Sequence, residues 1–326
     1  MHKMSLLRQS TDRNLSAGLS ISQTSCINGI FVMLIFLSHF CSYIDTSTMP
    51  YFEGYLRVRT FLGQMVVAPF LFFSGYGVME QIQKKKTNYI NTMPRKRIFK
   101  TWLHFALAVI LYFGVSVYLQ KRYALKTIIL AFTGWTSLGN SNWYMFAILL
   151  MYLNIYISCK YFKGNKVLVS CFILSICYLL AVRFFQNGSW WYNTIMCFPA
   201  GVFISWYKDD ICRFLDHKYF IAFIICIIVM LTASHFRNYL IAYEIMSIFL
   251  CFAIILFCSF IKMENSLFAF LGKYSFEIYI LQRIPMILFQ KFFSGYTYMS
   301  VCLLATVILA ILFKKLEKTA DKMLNI

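Results

Sequence analysis

Long apolar segments recur along the chain, separated by short polar or basic connections. A membrane-spanning helix needs about 20 predominantly apolar residues. The pattern predicts about ten such helices, over residues 27–44, 61–82, 98–119, 142–159, 167–185, 190–207, 219–236, 241–261, 267–289 and 298–314. The apolar stretch 125–135 is too short to cross and is interpreted as an interfacial or re-entrant piece. The predicted fold class is an all-α, polytopic membrane helical bundle.

The composition supports this interpretation. Hydrophobic residues make up 60% of the 326 residues and charged residues only 13%, which excludes an ordinary soluble globule. No long linker, low-complexity tract or clear internal repeat divides the chain. We predict a polar cytoplasmic N-terminal segment over residues 1–24, one membrane domain over 25–316 and a cytoplasmic tail over 317–326. The polar segment lacks an apolar core, so the first helix is expected to be its own signal anchor.

The basic residues indicate an orientation. With the N-terminus inside, the cytoplasmic connections hold 22 of the 31 Lys and Arg residues and the outer connections hold 8. Basic residues are retained on the cytoplasmic side, so both termini are predicted to be cytoplasmic. The net charge of +19 therefore follows from topology. The lipid bilayer, and not a nucleic acid, is the expected partner.

A histidine lies within the first apolar segment. His39 is expected roughly two-thirds of the way across the membrane, towards the outer face. Ionisable groups at this depth usually face the bundle interior and often mark a pathway or reaction centre. A neutral histidine that hydrogen-bonds between helices is the alternative. Asn28 stands eleven residues earlier, which returns to the same helix face.

Further polar residues are candidates for a site. Arg283 and Gln282 fall within the predicted ninth helix, where an interior role is expected of the arginine. Glu277 in the same helix either pairs with Lys273 at i,i+4 or has a partner elsewhere. The eleven cysteines are scattered, without a CxxC pair or a His/Cys cluster, so neither a metal site nor a disulfide framework is predicted.

Four short motifs follow His39 in order. They are PFLFFSGYG (Pro69–Gly77), MPRKRIFKTW (Met93–Trp102), NSNWYMFAILLMYL (Asn140–Leu153) and LGKYSFEIYILQRIP (Leu271–Pro285). Together with the first helix they resemble the acyltransferase 3 family of integral membrane acyltransferases, over about residues 24–315. That family's pattern has a basic residue ahead of the histidine. Here Asn28 replaces it, which can hydrogen-bond but cannot neutralise an anionic donor.

The resemblance implies an activity. Family members transfer an acyl group, most often acetyl, from cytoplasmic acyl-CoA to a hydroxyl on a cell-surface or lipid-linked glycan. The protein is then expected in the bacterial cytoplasmic membrane, with acyl-CoA as a co-substrate, no tightly bound cofactor and no metal. His39 is the expected general base, since histidine titrates near neutral pH.

The resemblance also suggests roles for other residues. The expected donor-binding residues are Asn28, Arg95, Lys96 and Arg97, although the basic run Lys84–Lys100 also fits a purely topogenic role. Glu53 is a candidate for orienting His39. The residues expected to bind the acceptor or to act structurally are Glu53, Arg57, Arg59, Ser74, Tyr76, Trp143, Gln282 and Arg283.

Two other functions fit the same sequence. Several spans with a few buried polar residues also describe a transporter or flippase for a glycan or small metabolite. Carriers commonly show paired halves with broken helices, and no such symmetry is evident. A catalytically silent partner of glycan-assembly proteins is the third possibility, which the Asn28 departure makes more plausible.

Overall fold

The computed structural model describes residues 20–46, 49, 51–185 and 188–326. All regular secondary structure in these ranges is helical, which confirms the predicted all-α class. Residues 1–19, most of the predicted polar N-terminal segment, lie outside the described residues. The predicted tail at 317–326 continues the last helix as far as Met323.

The helices follow one another with short connections. In the described residues they are α1 (Ile21–Phe40), α2 (Glu53–Leu62), α3 (Ala68–Met93), α4 (Lys100–Tyr118), α5 (Leu125–Ala131), α6 (Trp143–Tyr161), α7 (Lys166–Phe184), α8 (Cys197–Trp206), α9 (Lys208–Leu215), α10 (Tyr219–His235), α11 (Leu240–Phe260), α12 (Ser266–Lys273), α13 (Ser275–Leu281), α14 (Arg283–Phe289) and α15 (Gly295–Met323). A π-helical turn, Pro94–Phe99, joins α3 to α4, and short 3₁₀ turns cover Gly63–Val67 and Ser189–Trp191.

Several helices are long and apolar enough to cross a membrane. The described residues hold six such segments, or seven if the bent pair α9 and α10 forms one span. The chain is therefore a multi-pass membrane protein, while the count of ten crossings and the location of the termini stay predictions. One segment, Glu53–Tyr118, has 66 residues and contains the predicted helices 61–82 and 98–119. As one straight helix it would be about 100 Å long, roughly three times the bilayer core. Its backbone is interrupted at Gly63 and Lys86, both with positive φ.

Two predicted spans are not continuous helices. Residues 190–207 contain a 3₁₀ turn and the ten-residue helix α8. Residues 267–289 are divided into α12, α13 and α14, with a break at Tyr274, where φ is −109° and ψ is 14°. The second break precedes Pro285, which has no N–H to donate to the Leu281 carbonyl and crowds it. Sequence hydropathy did not reveal these breaks because both segments are mostly apolar along their length.

The first helix begins earlier than predicted. The Ser20 hydroxyl accepts a hydrogen bond from the Gln23 backbone N–H at 3.1 Å, and the Gln23 side-chain oxygen accepts from the Ser20 N–H at 3.2 Å. This reciprocal capping box satisfies two N–H groups that a helix start leaves free. Helix α1 therefore starts at Ile21, not at residue 27.

Two glycine contacts bring helices into close approach. A Cβ on Gly29 of α1 would lie 1.9 Å from the Phe268 carbonyl oxygen of α12. A Cβ on Gly75 of α3 would lie 2.2 Å from the Phe198 carbonyl oxygen of α8. No side chain fits either position, because these helix backbones touch. The neighbouring residues Asn28 and Ser74 are thereby fixed relative to the interior.

Candidate active site

A cavity of about 490 Å³ lies between the helices. Its size falls in the range of small-molecule sites, about 300–1,000 Å³. Its walls come from α1, α3, the π-helical turn, α4, α6, α13 and α15. Its polar lining includes Thr24, Asn28, Ser74, Lys96, Arg97, Lys100, Thr101, His104, Tyr144, Tyr152, Ser275, Tyr279 and Lys314, and its apolar lining includes Ile35, Val67, Phe70, Phe73, Ile148 and Phe276.

The basic side chains of the lining form what we call the charged end, composed of Lys96, Arg97, Lys100, His104 and Lys314. The Arg97 guanidinium carbon lies 4.6 Å from the centre of the Tyr152 ring. Its Nη2 also donates to the Tyr152 hydroxyl oxygen at 2.6 Å. Stacking and a charge-assisted hydrogen bond thus hold this guanidinium in one place.

Carboxylates hold some of these basic side chains. Asp321 accepts from Lys100 Nζ at 2.7 Å and lies 2.9 Å from His104 Nε2. Lys314 pairs with the fully buried Glu277, and its Nζ lies 3.3 Å from a Glu317 oxygen. Buried charges need such partners.

The pairing of Glu277 decides between the two alternatives that the sequence left open. Glu277 pairs with Lys314 and not with Lys273. The break at Tyr274 separates Lys273 from Glu277, so the geometry of an i,i+4 pair is lost.

Lys96 and Arg97 differ from the other cations of the charged end. No carboxylate pairs with either of them in the described part of the chain. Their positive charge is therefore not neutralised by the protein there. An anionic group that enters the cavity meets these two side chains without displacing an existing ion pair.

We call the opposite region the histidine end, composed of His39, Tyr279 and Gln282. His39 lies one helical turn beyond Ile35, past this end of the cavity, and is partly exposed. Its ring centre is 6.4 Å from that of Tyr279, which lines the cavity. The Gln282 side-chain nitrogen donates to His39 Nδ1 at 2.9 Å and to the Tyr279 carbonyl oxygen at 3.1 Å. The break between α13 and α14 places Gln282 at this point.

Two arginines lie near the histidine end. Arg59 and Arg283 are both within electrostatic range of His39, and Arg59 Nε donates to the Ser38 hydroxyl at 3.4 Å. The Arg283 guanidinium also acts on Tyr43, beyond the end of α1. Burial raises the pKa of the Tyr43 phenol, and the positive charge of Arg283 opposes that rise. The region around His39 is therefore positive.

Polar atoms at both ends lack partners. The Asn28 Oδ1 and Gln282 Oε1 atoms are buried and have no hydrogen-bond partner among the described residues. A buried oxygen without a partner costs about 1–3 kcal/mol. Such atoms indicate places where a ligand or water completes the hydrogen bonding.

The remaining predicted residues lie outside the cavity lining. Arg95 is exposed and donates to the Leu324 carbonyl oxygen at 2.9 Å. Trp143 begins α6 and packs on Tyr144 with ring centres 6.0 Å apart. Tyr76 is partly buried and lies close to Glu80.

Glu53 is not the hydrogen-bond partner of His39 in the described residues. Glu53 pairs with Arg57 at 2.7 Å, and both side chains are exposed. Arg57, Glu53 and Arg237 line a separate open groove of about 450 Å³. The partner of the His39 ring nitrogen is Gln282, which the sequence analysis placed only among acceptor-binding or structural residues.

Sequence reasoning missed several lining residues. Lys100 and His104 follow Lys96 at successive spacings of four, which places all three near one helix face, and this signal could have found them. Tyr279 precedes Gln282 by three residues, again on one face. Lys314 was counted only as a topogenic charge, since its contact with the cavity depends on how α15 packs.

The comparisons with known proteins agree with the resemblance. No curated protein and no solved structure matches the chain. A family model described as an acyltransferase domain, Acyl_transf_3, matches residues 26–315 of the 326 residues. This match covers α1 to most of α15, including both ends of the cavity. The chain therefore belongs to the acyltransferase 3 family of membrane acyltransferases.

Proposed function

We propose that this protein transfers an acyl group, most simply acetyl, from cytoplasmic acyl-CoA to a hydroxyl of a cell-surface or lipid-linked glycan. The observation that carries the proposal is one cavity with different groups of residues at its two ends. Cations that can bind a phosphorylated donor line one end, and a hydrogen-bonded histidine lies just beyond the other, with its ring centre 6.4 Å from that of the lining residue Tyr279. Within a family of acyltransferases, this arrangement fits a donor that enters at the charged end and reacts at the histidine end.

The charged end suits the phosphates of coenzyme A. Lys96 and Arg97 have no carboxylate partner in the described chain, so their charge is available to a phosphate. The basic run that contains them is predicted to be cytoplasmic, where acyl-CoA is found. They also supply positive charge in place of the family's basic residue, which the neutral Asn28 replaces. Asn28 itself can donate a hydrogen bond from its amide to the donor.

The middle of the cavity suits the acyl-pantetheine arm. Asn28 and His39 are about 16 Å apart along α1, at about 1.5 Å per residue. The lining between them includes the apolar side chains Ile35, Phe70 and Phe73. A long pantetheine arm crosses this distance and presents its thioester near Tyr279.

The histidine end suits general-base catalysis. An acceptor hydroxyl gives its proton to His39 as its oxygen bonds to the thioester carbon, and the departing thiolate then recovers that proton. Such a base contributes about 10² to 10⁴ in rate. Arg59 and Arg283 lie where they can stabilise the developing negative charge on the thioester oxygen. Exposed Arg57 pairs with Glu53 at 2.7 Å and can hold an acidic glycan or lipid phosphate only by exchanging this carboxylate for it.

A complementation experiment tests the proposal. Cells that carry His39→Gln as their only copy should lose acyl groups from their surface glycan, measured by mass spectrometry or NMR of the glycan. Gln keeps a hydrogen-bonding side chain but cannot accept a proton at neutral pH. The matched control is His235→Gln, since His235 is exposed and contacts only a carbonyl of its own helix, Leu231, at 3.0 Å. Full acylation by correctly inserted His39→Gln would contradict the proposal and favour a transporter or a silent partner.

A further inference from the structure

The side chain of Gln282 determines which nitrogen of His39 holds the ring proton. Gln282 is fully buried, and its backbone N–H donates to the Ile278 carbonyl oxygen at 3.0 Å. Its side-chain nitrogen donates both to the Tyr279 carbonyl oxygen and to His39 Nδ1. An amide nitrogen donates and does not accept. His39 Nδ1 is therefore the acceptor, and the neutral ring carries its proton on Nε2.

In this tautomer, His39 cannot act as the general base. A neutral imidazole has one donor and one acceptor nitrogen, and here the acceptor nitrogen is occupied by Gln282. The free nitrogen, Nε2, already holds a proton. It can donate a hydrogen bond but cannot take the proton of a hydroxyl. The opposite tautomer, with the proton on Nδ1, would leave Nε2 able to accept.

The side chain of Gln282 can also stabilise that opposite tautomer. Its Oε1 atom is buried and has no partner in the described residues. A half-turn of the amide exchanges Oε1 and Nε2, so that the oxygen faces His39 Nδ1 and accepts its N–H. The turn gives up the hydrogen bond to the Tyr279 carbonyl, which accounts for the resting orientation.

We propose that Gln282 is a positioning residue that switches His39 between a resting tautomer and a base, by turning its amide. As the amide turns, the partly exposed ring gives its Nε2 proton to water and takes a proton from water at Nδ1, so the charge of the ring does not change. The proposal rests on the proposed role of His39 as the general base. In the turned state, Oε1 holds the Nδ1 proton. The acceptor hydroxyl gives its proton to Nε2 while its oxygen bonds to the thioester carbon. The C–S bond then breaks and the thiolate takes the proton from Nε2, which leaves an ester, a thiol and the starting ring.

Three variants separate this role from simple packing. Gln282→Met has a similar length but no hydrogen bonds to His39. Gln282→Glu offers only acceptor oxygens when ionised, so it holds the Nδ1 proton and fixes the base tautomer. Gln290→Met is the matched control. Gln290 also donates through its side-chain nitrogen to a carbonyl, that of Tyr43 at 3.0 Å, but it is exposed and does not contact His39.

The experiment is ¹⁵N NMR of the full-length protein in lipid nanodiscs with labelled histidine. The chain has five histidines, and the His39 signals are assigned by their loss in His39→Gln. We expect wild-type neutral His39 to carry its proton on Nε2, Gln282→Glu to carry it on Nδ1, and Gln282→Met to show both tautomers. We expect kcat to fall about 100-fold in Gln282→Met, to stay within about tenfold of wild type in Gln282→Glu, and to be unchanged in Gln290→Met.

Two outcomes would overturn the proposal. One is an Nδ1 proton on His39 in the resting wild-type protein. The other is a Gln282→Met variant with the wild-type tautomer or the wild-type kcat. The first is read from the wild-type protein and the second from a variant that keeps His39 and changes one neutral side chain, so they decide the matter even if Gln282→Glu fails to fold. If His39 is not the general base, His39→Gln retains acyl transfer. That result is measured separately, so the two failures can be distinguished.

Discussion

The two ends of the cavity are built in opposite ways. The charged end holds long basic side chains from the π-helical turn, α4 and α15, and three buried or half-buried carboxylates brace part of it. The histidine end holds no ion pair among its three residues. Its side chains are fixed by neutral hydrogen bonds and an aromatic contact, with Gln282 fully buried.

This difference suits the two ends to two different functions, donor binding and proton transfer. Binding a highly charged donor needs exposed positive charge, which acts over several ångströms and tolerates imprecise geometry. Proton transfer needs one side chain at hydrogen-bond distance in one tautomer. The charged end should therefore govern donor affinity, and the histidine end should govern the rate of the chemical step.

The largest expected effect comes from disturbing the helix contact that positions the histidine end. Gly29→Ala places a methyl group where only 1.9 Å separates it from the Phe268 carbonyl oxygen. Helix α1 must then move away from α12, which shifts His39 relative to Gln282. Overpacking of this kind costs about 1–3 kcal/mol and more where backbones must separate. We expect a lower thermal midpoint in detergent and a loss of acyl transfer of about 100-fold.

Gly77→Ala is the control for this substitution. Nothing lies within 4 Å of a Cβ at Gly77 in α3, and alanine favours a helix over glycine by about 1 kcal/mol. Its midpoint should equal or exceed that of the wild type. A wild-type midpoint and activity in Gly29→Ala would show that the α1–α12 contact does not position the histidine end.

A smaller effect is expected from changing the charged end, and it should appear in donor binding and not in the chemical step. We expect the double variant Lys96→Gln, Arg97→Gln to weaken equilibrium binding of coenzyme A about tenfold or more, measured by calorimetry. A hydrogen bond to a charged group is worth about 1.5–3 kcal/mol, and about 1.4 kcal/mol is tenfold in affinity. Arg95→Gln is the control, because Arg95 contacts the Leu324 carbonyl and does not line the cavity. Equal binding by the double variant and by Arg95→Gln would exclude these two residues from the donor site.

The two ends also differ in how well the sequence predicts them. The basic run stands out by composition alone, and Lys96 and Arg97 do line the cavity. Sequence could not separate them from Arg95, because the π-helical turn decides which of three adjacent side chains points inward. Lys314 and Glu277 are 37 residues apart, so their pairing depends on the packing of α13 against α15.

The histidine end was only half predictable. His39 is evident as an ionisable residue in an apolar helix, and Asn28 is evident from its spacing. The partner of His39 is Gln282, which is 243 residues away along the chain. Gln282 lies at a helix break that a long, mostly apolar pattern conceals. The described residues hold six to seven candidate spans, and the predicted count of ten crossings stays a prediction, since hydropathy cannot distinguish a crossing from a bent or short apolar helix.

The dependence of acyl transfer on donor concentration tests whether the two ends act as proposed. Everted membrane vesicles would receive radiolabelled acetyl-CoA, and label in the glycan fraction would be counted for wild type, Arg97→Gln and His39→Gln. We predict that Arg97→Gln needs more donor but approaches the wild-type rate at saturation, while His39→Gln stays inactive at every concentration. If added donor restores acyl transfer by His39→Gln, or if Arg97→Gln is inactive even at saturation, then the charged end and the histidine end do not have the separate functions proposed here.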